Sequence, residues 1–441
     1  MRCTIWLSII AVLLVSCSTQ TRNLPTSTIE PTATSSPLPS ATSLPATPTP
    51  EPWVRQTNVE TVTDNAATTD GGNAWGGHQT RIVHTQDGIF TAYIIEHGNE
   101  FHKEWRLAQR QSDGTWLVIA HGPSGLQPVN LLASPDGTLH VIGWPSGVAT
   151  MWSGKPENGA ITMLPESIPD LASGDYAYGS AGTDANGDLC ILSSTGGDKP
   201  VGWFNWACYS PLSRQWTTQE DKLDYRFCYT YVFPTTDGQL SLVSTRDVLW
   251  QALGYQQPAG EFDYVFNAFG FWHTDNISKV PLERVYSLEE KPTSSYPDPI
   301  ANAQEDAYLD TKGMMHIIYH VQGESTQGTW ISRQAIISPD GKVLFDVQLP
   351  SELGDYSRIF QDNQGWFYLL GSSGKLYTMD QDGVHVGNSI QLDLKGNSVE
   401  YSGFGLSVPR TGTPLSDTMD VVFPSDSGTK WLYFQLDFSG Q

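Results

Sequence analysis

Basic side chains are scarce in this chain of 441 residues, which holds 24 Lys and Arg against 47 Asp and Glu and carries a formal net charge of −23. Nucleic-acid binding depends on a basic surface that contacts phosphates, so this charge argues against nucleic acid as a partner. Charged residues make up only 16% of the chain, whereas 39% is hydrophobic and 11% is aromatic. The chain can therefore bury a large core, which excludes a wholly disordered protein.

The motifs of the common catalytic and cofactor sites are also missing. The sequence contains no Gly-rich phosphate-binding loop, no nucleophile elbow and no metalloprotease helix motif. It has five cysteines, and none is paired in the CxxC spacing of a zinc site. No reaction class is therefore assigned by motif. We expect no cofactor, and a bound calcium ion stays an open alternative.

No apolar stretch reaches the ~20 residues that are needed to cross a bilayer. Near the N-terminus, Arg2 precedes a mostly apolar run from Ile5 to Val15, which is typical of an export signal. The run ends in Leu14-Val15-Ser16-Cys17, which resembles the lipobox of bacterial lipoproteins. The resemblance implies that residues 1–16 are a signal peptide and that Cys17 is lipidated. We therefore expect an exported protein anchored to the outer surface of a membrane; an ordinary cleaved signal or an uncleaved anchor is the alternative.

The segment that follows has almost no large apolar side chain to pack. Residues 18–52 contain eight Pro, nine Thr and six Ser. Pro-rich chains extend by ~3.1 Å per residue, so this segment would hold a domain up to about 100 Å from a membrane. We interpret residues 17–53 as the lipidated cysteine and a disordered linker, with O-glycans on its hydroxyls as an added alternative.

Turn residues recur at an even interval through the rest of the chain. Asp-Gly and related pairs place glycines 49, 50, 51, 75 and 52 residues apart, at Gly88, Gly137, Gly187, Gly238, Gly313 and Gly365. A degenerate seventh turn follows at Asp417, and the residues two and four positions beyond each turn are all apolar. Short β-rich runs at a period near 50 residues are the signature of a β-propeller. The sequence thus predicts an all-β fold, a seven-bladed β-propeller over residues 54–441.

The last repeat predicts how the ring is closed. It ends after its third strand, from Lys430 to Phe438, and leaves an edge that would invite aggregation. We therefore expect an N-terminal strand between Val54 and Thr63 to complete the seventh blade.

The turn motifs resemble those of the sialidase-like, BNR-repeat propellers. A strand with a histidine follows the turn at Gly137-Thr138-Leu139-His140, and Ser112-Asp113-Gly114-Thr115-Trp116 is similar to a shortened Asp-box. The resemblance implies fold rather than activity. Sialidases hold a carboxylate with three arginines, but the Phe/Tyr-Arg-Ile-Pro motif that carries the first is absent, and Arg81-Ile82 lacks its flanks. Arg81, Arg226 and Arg358 all stand near first strands, and whether they converge on one site is left open by the sequence.

Three thiols remain once Cys3 is removed with the signal peptide and Cys17 is lipidated. A hairpin that pairs Ser194 with Phe204 would bring Cys190 opposite Cys208, so we predict either a disulfide there or two buried thiols. Cys228 is left over.

Acidic residues stand beside tyrosines just before several first strands, where they would surround the central channel. These candidate ligand-binding residues are Asp175, Tyr176, Asp224, Tyr225, Arg226, Asp306, Tyr308, Asp355, Tyr356, Arg358, Glu400 and Tyr401. Carboxylates there would bind a calcium ion or sugar hydroxyls, and the rings would offer flat apolar surfaces. The alternative is that each pair is a packing device within its repeat.

The 75-residue interval marks an insertion of about 25 residues after the second strand of the fourth repeat, on the same face. It is rich in aromatic residues, among them Tyr255, Phe262, Tyr264, Phe266 and Trp272. Such a cluster forms either a small satellite core or a stacking platform for a sugar.

These features favour a lipid-anchored propeller that binds a carbohydrate or another extracytoplasmic ligand. The second hypothesis is a glycan-cleaving enzyme, a hydrolase or a polysaccharide lyase with a base among His97, His102 and His320. The third is a scaffold for a surface protein. We expect a monomer that contacts the membrane through lipidated Cys17.

Overall fold

The computed structural model describes residues 54–69, 72–157, 159–172, 176–197, 199–294, 300–399, 404–411 and 413–440. The predictions for the signal peptide, Cys17 and the linker lie outside these residues, as do those for Asp175, Glu400 and Tyr401. No helix among the described residues is long and apolar enough to cross a membrane.

The described residues form seven four-stranded antiparallel sheets, which confirms the predicted seven-bladed β-propeller. Blade 1 consists of Ile82–Thr85, Gly88–His97, Asn99–Arg110 and Trp116–Ser124. Blade 2 consists of Asn130–Ala133, Leu139–Gly143, Val148–Gly154 and Leu164–Ala172. Blade 3 consists of Ser180–Thr183, Leu189–Gly196, Gly202–Ser210 and Gln215–Leu223. Blade 4 consists of Phe227–Pro234, Leu240–Arg246, Ala268–Thr274 and Glu283–Glu289.

The remaining blades complete the ring. Blade 5 consists of Ala301–Leu309, Met315–Gln322, Ile331–Ile337 and Val343–Gln348. Blade 6 consists of Ser357–Gln361, Phe367–Gly371, Lys375–Met379 and Val386–Gln391. Blade 7 contains Thr418–Ser425 and Lys430–Asp437, and a bridge between Ser407 and Val422 marks its innermost position. Short 3₁₀ turns lie at Pro145–Gly147, Trp250–Leu253, Glu324–Thr326 and Ser351–Leu353.

The N-terminal strand closes blade 7 as predicted. Arg55–Gln56 pairs with Leu436 and Asp437, and Glu60–Thr63 pairs with the same strand between Trp431 and Tyr433. Both pairings are antiparallel. The first and last segments of the described chain therefore share one sheet.

The turns between first and second strands explain the repeated glycines. In blade 3, the Asp184 carboxylate accepts hydrogen bonds from the amides of Asn186 and Asp188, both at 2.9 Å. Gly187 between them has φ of +85°, a left-handed conformation that favours glycine. The apolar residues that follow the turns alternate along the second strands and pack between neighbouring blades. Phe90 and Leu139 thus lie in one cluster that joins blades 1 and 2.

The insertion in blade 4 occupies residues 247–267, between the second and third strands. It contains the small hairpin of Val248–Leu249 with Tyr264–Val265. The sequence placed Trp272 in this loop, but the third strand begins at Ala268 and Trp272 is buried. Its ring packs edge-on against Phe204 and Phe227, at centroid distances of 5.1 and 4.8 Å. Trp272 is therefore a core residue between blades 3 and 4.

Cys190 and Cys208 lie in the second and third strands of blade 3, and Cys228 lies in the first strand of blade 4. The register pairs Ser194 with Phe204 and Cys190 with Cys208, and the two cysteines form a disulfide. Cys228 is a buried free thiol.

Candidate functional site

An aromatic cavity opens on the end of the propeller that carries the loops between second and third strands, which we call the loop face. Its volume is about 370 Å³. The lining residues, which define the aromatic pocket, are Trp75, Tyr229, Thr245, Trp250, Glu261, Phe262, Tyr264, Val265, Phe266, Ile300, Ala301, Ala303, Gln304, His320, Trp330, Tyr356 and Phe404. Nine of these 17 side chains are Trp, Tyr or Phe. The pocket therefore presents mainly flat, apolar surfaces to a ligand.

Tyr229 lies at the centre of these rings. It contacts Trp75, Tyr178 and Phe404 at centroid distances of 6.2, 5.2 and 5.4 Å. Its φ is +57°, and the register of the first strand of blade 4 shifts at this point. A bulge re-aims a side chain that regular pairing would hold within the sheet. The irregular backbone thus directs Tyr229 to the pocket instead of into a blade interface.

The blade 4 insertion forms one wall of the pocket. The indole Nε1 of Trp250 donates to the carbonyl of Phe262 at 2.9 Å. Phe262 is 59% exposed, yet its ring lies nearly parallel to that of Phe266, with 6.3 Å between the centroids. The wall therefore has an ordered base and an exposed aromatic edge.

A buried arginine attaches this wall to the propeller. The Arg226 guanidinium lies between the rings of Tyr178 and Tyr264, at 5.2 and 4.9 Å from their centroids. It also pairs with Asp247 Oδ2 at 2.9 Å. Arg226 therefore stabilises the insertion through cation–π contacts and an ion pair, and it is not among the lining residues.

The opposite wall comes from blades 5 and 6. His320 stacks on Trp330 with 3.8 Å between the ring centroids. The Tyr356 ring approaches His320 edge-on at 5.8 Å and Phe404 at 5.4 Å. Trp330 is 38% exposed, so one part of its ring stays open to a ligand.

A buried carboxyl lies behind His320. Glu305 Oε1 is 3.8 Å from His320 Nδ1, a nitrogen with no hydrogen-bond partner among the described residues. Burial raises the pKa of Glu305 to about 8, although Ser332 and Ser357 donate hydrogen bonds to it. Burial lowers the pKa of His320 to about 3. Both groups are therefore mainly uncharged near pH 7, so their contact is not an ion pair in that range.

Only some of the predicted acid–tyrosine pairs reach the loop face. Tyr356 lines the pocket, and Tyr176 contacts Tyr178 at 6.4 Å, beside the central rings. Tyr225 lies below the insertion, where Arg246 stacks on it at 4.9 Å. Tyr308 differs from the expectation: it lines a separate cavity on the opposite face, because its partner His316 is close to the turn.

None of the described acidic partners, Asp224, Asp306 and Asp355, lines the pocket. Asp224 is paired with Arg284 at 2.9 Å, and Asp355 is exposed. Asp306 is buried, accepts the amide of Ile359 at 2.7 Å and pairs with Arg410. The packing alternative therefore describes Asp306 better than the ligand-binding one. In the described part of the chain, no three His, Cys, Asp or Glu side chains are grouped to hold a metal ion.

The three arginines near the first strands do not form a carboxylate clamp. Arg358 is buried and donates to the carbonyls of Leu406 and Glu305, at 2.7 and 2.8 Å. Arg81 donates to the carbonyls of Asn73 and Gly405. Together with Arg226 they fasten loops below the pocket, and none of the three lines it.

The sequence interpretation missed five aromatic residues of the pocket, Trp75, Tyr229, Trp250, Trp330 and Phe404, and three polar ones, Thr245, Glu261 and Gln304. Trp330 could have been predicted from the sequence, because it lies just before the third strand of blade 5, in the same loop position as the blade 4 insertion. Trp75 and Phe404 come from loops before first strands that are far apart in the chain. Only the closed ring brings them to one cavity.

No family model matches the sequence, and no curated protein matches it. Several solved structures are similar in fold. A protein of unknown function from Dyadobacter fermentans is 10% identical with a TM-score of 0.46, over 87% of this chain and 99% of its own. An α-L-arabinofuranosidase from Fusarium graminearum, solved with an iminosugar inhibitor, is 8% identical with a TM-score of 0.43, over 71% and 93%.

A third similar structure is the WD40 domain of coronin from Toxoplasma gondii, at 10% identity and a TM-score of 0.44, over 88% of this chain and 86% of its own. At such identities these similarities concern the fold alone. The chain is a seven-bladed β-propeller protein, and its function has to be argued from its own site.

Proposed function

We propose that this protein is exported, anchored to a membrane through lipidated Cys17, and binds a carbohydrate in the aromatic pocket. The observation that carries the binding function is the aromatic lining, nine of 17 side chains, on the loop face. Sugar rings have apolar faces that lie flat on Trp and Tyr, and such contacts bury area without requiring charge.

The polar groups of the pocket fit the same ligand. Thr245, Gln304, Glu261 and His320 stand among the rings. A few placed polar groups fix the orientation of a ligand in a mainly apolar cavity. A volume of about 370 Å³ suits a short glycan, and the exposed edge of Phe262 would contact sugar units beyond the pocket.

Replacing Trp330 by alanine is expected to weaken glycan binding about tenfold, which is ~1.4 kcal/mol, because the variant removes an open stacking surface. Titration calorimetry with the oligosaccharides that bind best on a glycan array measures the change. Trp216→Ala is the matched control, since Trp216 is a partly buried tryptophan on the outer strand of blade 3. Equal binding by Trp330→Ala and wild type would contradict a role of this wall.

A glycan-cleaving enzyme is the second candidate, and one observation favours it. His320 lines the pocket and is uncharged near pH 7, so one of its ring nitrogens holds a lone pair that can accept a proton from a ligand. Release of reducing or unsaturated sugar, lost in His320→Gln, would favour the enzyme. Saturable binding without product favours the binding module. Co-purification of one protein partner without any glycan response would favour a scaffold.

Replacing Cys17 by alanine is expected to move the protein from the membrane fraction to the soluble fraction of the cell exterior. The thiol is the proposed lipidation site, and stable anchoring takes more than one acyl chain. Fractionation followed by immunoblotting measures the distribution. Cys3→Ala is the control, because Cys3 lies inside the proposed signal peptide. A Cys17→Ala protein that stays in the membrane would support an uncleaved anchor instead.

A further inference from the structure

The described lining of the aromatic pocket carries a negative charge and no positive one. No Lys or Arg is among the residues that line it, and Glu261 is the exposed acidic one. Glu261 lies in the blade 4 insertion, where Gln257 donates to its backbone carbonyl at 2.9 Å. His320 adds no positive charge near pH 7, because burial keeps its pKa low. The described lining thus offers a ligand a carboxylate and no cation.

The arginines nearest the pocket are already engaged. Arg226 pairs with Asp247 at 2.9 Å, and Arg246 pairs with Glu289 at 2.6 Å. Arg358 donates to backbone carbonyls. A sugar carboxylate that entered this pocket would lose its hydration and find none of these guanidinium groups available, which is unfavourable for a desolvated charge.

The aromatic rings favour a positive charge on the ligand. The face of an aromatic ring is negative and attracts cations within about 6 Å of its centre. The chain uses this attraction beside the pocket, where Arg226 lies between Tyr178 and Tyr264. Trp75, Tyr229 and Trp330 present further rings to the cavity itself. An ammonium group would therefore find both ring faces and the Glu261 carboxylate.

We propose that the aromatic pocket selects sugars that carry a protonated amine over neutral and acidic sugars. This inference rests on the carbohydrate-binding function proposed above and names its ligand class. The amine would contact an aromatic face on the Glu261 side of the pocket, while the apolar face of the sugar lies on the remaining rings.

The test compares three oligosaccharides of equal length: glucosamine, N-acetylglucosamine and galacturonic acid oligomers. Titration calorimetry of the propeller at low ionic strength, at a pH where the amine is protonated, is expected to show glucosamine oligomers binding about fivefold tighter than N-acetylated ones, the size of an exposed cation–π contact with a weak ion pair. Galacturonic acid oligomers are expected to bind weakest. The preference should shrink as salt is added.

Glu261→Gln is expected to reduce the preference for the amine about threefold, the size of an exposed ion pair, because it weakens binding of the glucosamine oligomer more than that of the N-acetylated one. Glu283→Gln is the matched control, since it removes the same charge from an exposed position on the outer strand of blade 4. Equal affinity for amine and acetamide, or strongest binding of the acid, would overturn the inference and leave carbohydrate binding intact. Binding of none of the three, or of any glycan on an array, would remove the proposed function and the inference with it.

Discussion

A chain that begins at Asp64 is expected to lose most of its stability, because it lacks the strand that closes blade 7. Arg55–Gln56 and Glu60–Thr63 cover the outer edge of Lys430–Asp437. Their removal exposes a row of unpaired amides and carbonyls at the point where the ring is joined. Val54 and Val59 also pack on the core cluster that blades 6 and 7 share.

Glu60 links the closing strand to blade 1. Its carboxylate accepts from Arg110 Nε at 2.9 Å and from the Trp116 indole at 3.0 Å, so it ties blade 7 to the outer strands of blade 1. Hydrogen bonds to charged groups contribute about 1.5–3 kcal/mol each when they are shielded from water. Loss of the whole segment should therefore cost several kcal/mol of the ~5–15 kcal/mol that is typical for a folded domain.

Urea unfolding followed by tryptophan fluorescence measures the loss. The control is a chain that begins at Val54, which lacks the linker and keeps the closing strand, and which should unfold like the full chain. If the chain that begins at Asp64 is not obtained in soluble form, Glu60→Ala gives a second measure, with an expected loss of about 2 kcal/mol. Wild-type stability in both altered chains would show that blade 7 does not need its N-terminal strand.

The sequence predicts the propeller because the signals for it are local. The glycine in each turn is required by the backbone conformation at that position, as at Gly187. The closing strand is predicted by counting the strands in the last repeat. The apolar residues after the turns report on the nearest blade interface. None of these inferences needs contacts between distant parts of the chain.

The pocket depends on contacts that local patterns do not contain. Phe262 and Trp272 belong to the same aromatic run, but a strand that begins at Ala268 leaves the first exposed and buries the second. Asp306 lies close to a tyrosine in the sequence like the other acids, yet Arg410, 104 residues away in the chain, pairs with it in the interior. Side-chain direction at such positions is decided by the neighbouring blades, which a single repeat does not reveal.

Replacing Glu305 by glutamine is expected to make the protein more stable at alkaline pH and nearly unchanged in stability near pH 5. The folded-state pKa of Glu305 is raised from 4.5 to about 8 by burial. A carboxyl whose pKa is raised on folding stabilises the fold fully below its unfolded pKa, and this stability falls as the pH rises towards the folded pKa. Between pH 5 and 8, wild type should thus lose about 3–4 kcal/mol through this group.

Glutamine fits the site because it matches the protonated carboxyl in shape. Its carbonyl oxygen can accept from the Ser357 amide, now 3.0 Å from Glu305 Oε2, and its amino group can donate to the Ser332 hydroxyl. Measured in urea from pH 5 to 8, the free energy of unfolding of Glu305→Gln minus that of wild type should therefore grow by about 3–4 kcal/mol, because the contributions of all other groups cancel in the difference. Glu283→Gln, at an exposed position, should follow wild type.

Acid is expected to destabilise the protein through His320, on the same wall of the pocket. The pKa of His320 is lowered from 6.5 to about 3 by burial, so the folded state resists a proton that the unfolded chain accepts. Stability from this group is full above the unfolded pKa and falls as the pH drops from about 6.5 towards 3. Glu305→Gln should keep this acid decline while it loses the alkaline one. Parallel curves for wild type and Glu305→Gln at every pH would show that Glu305 is ionised in the folded protein.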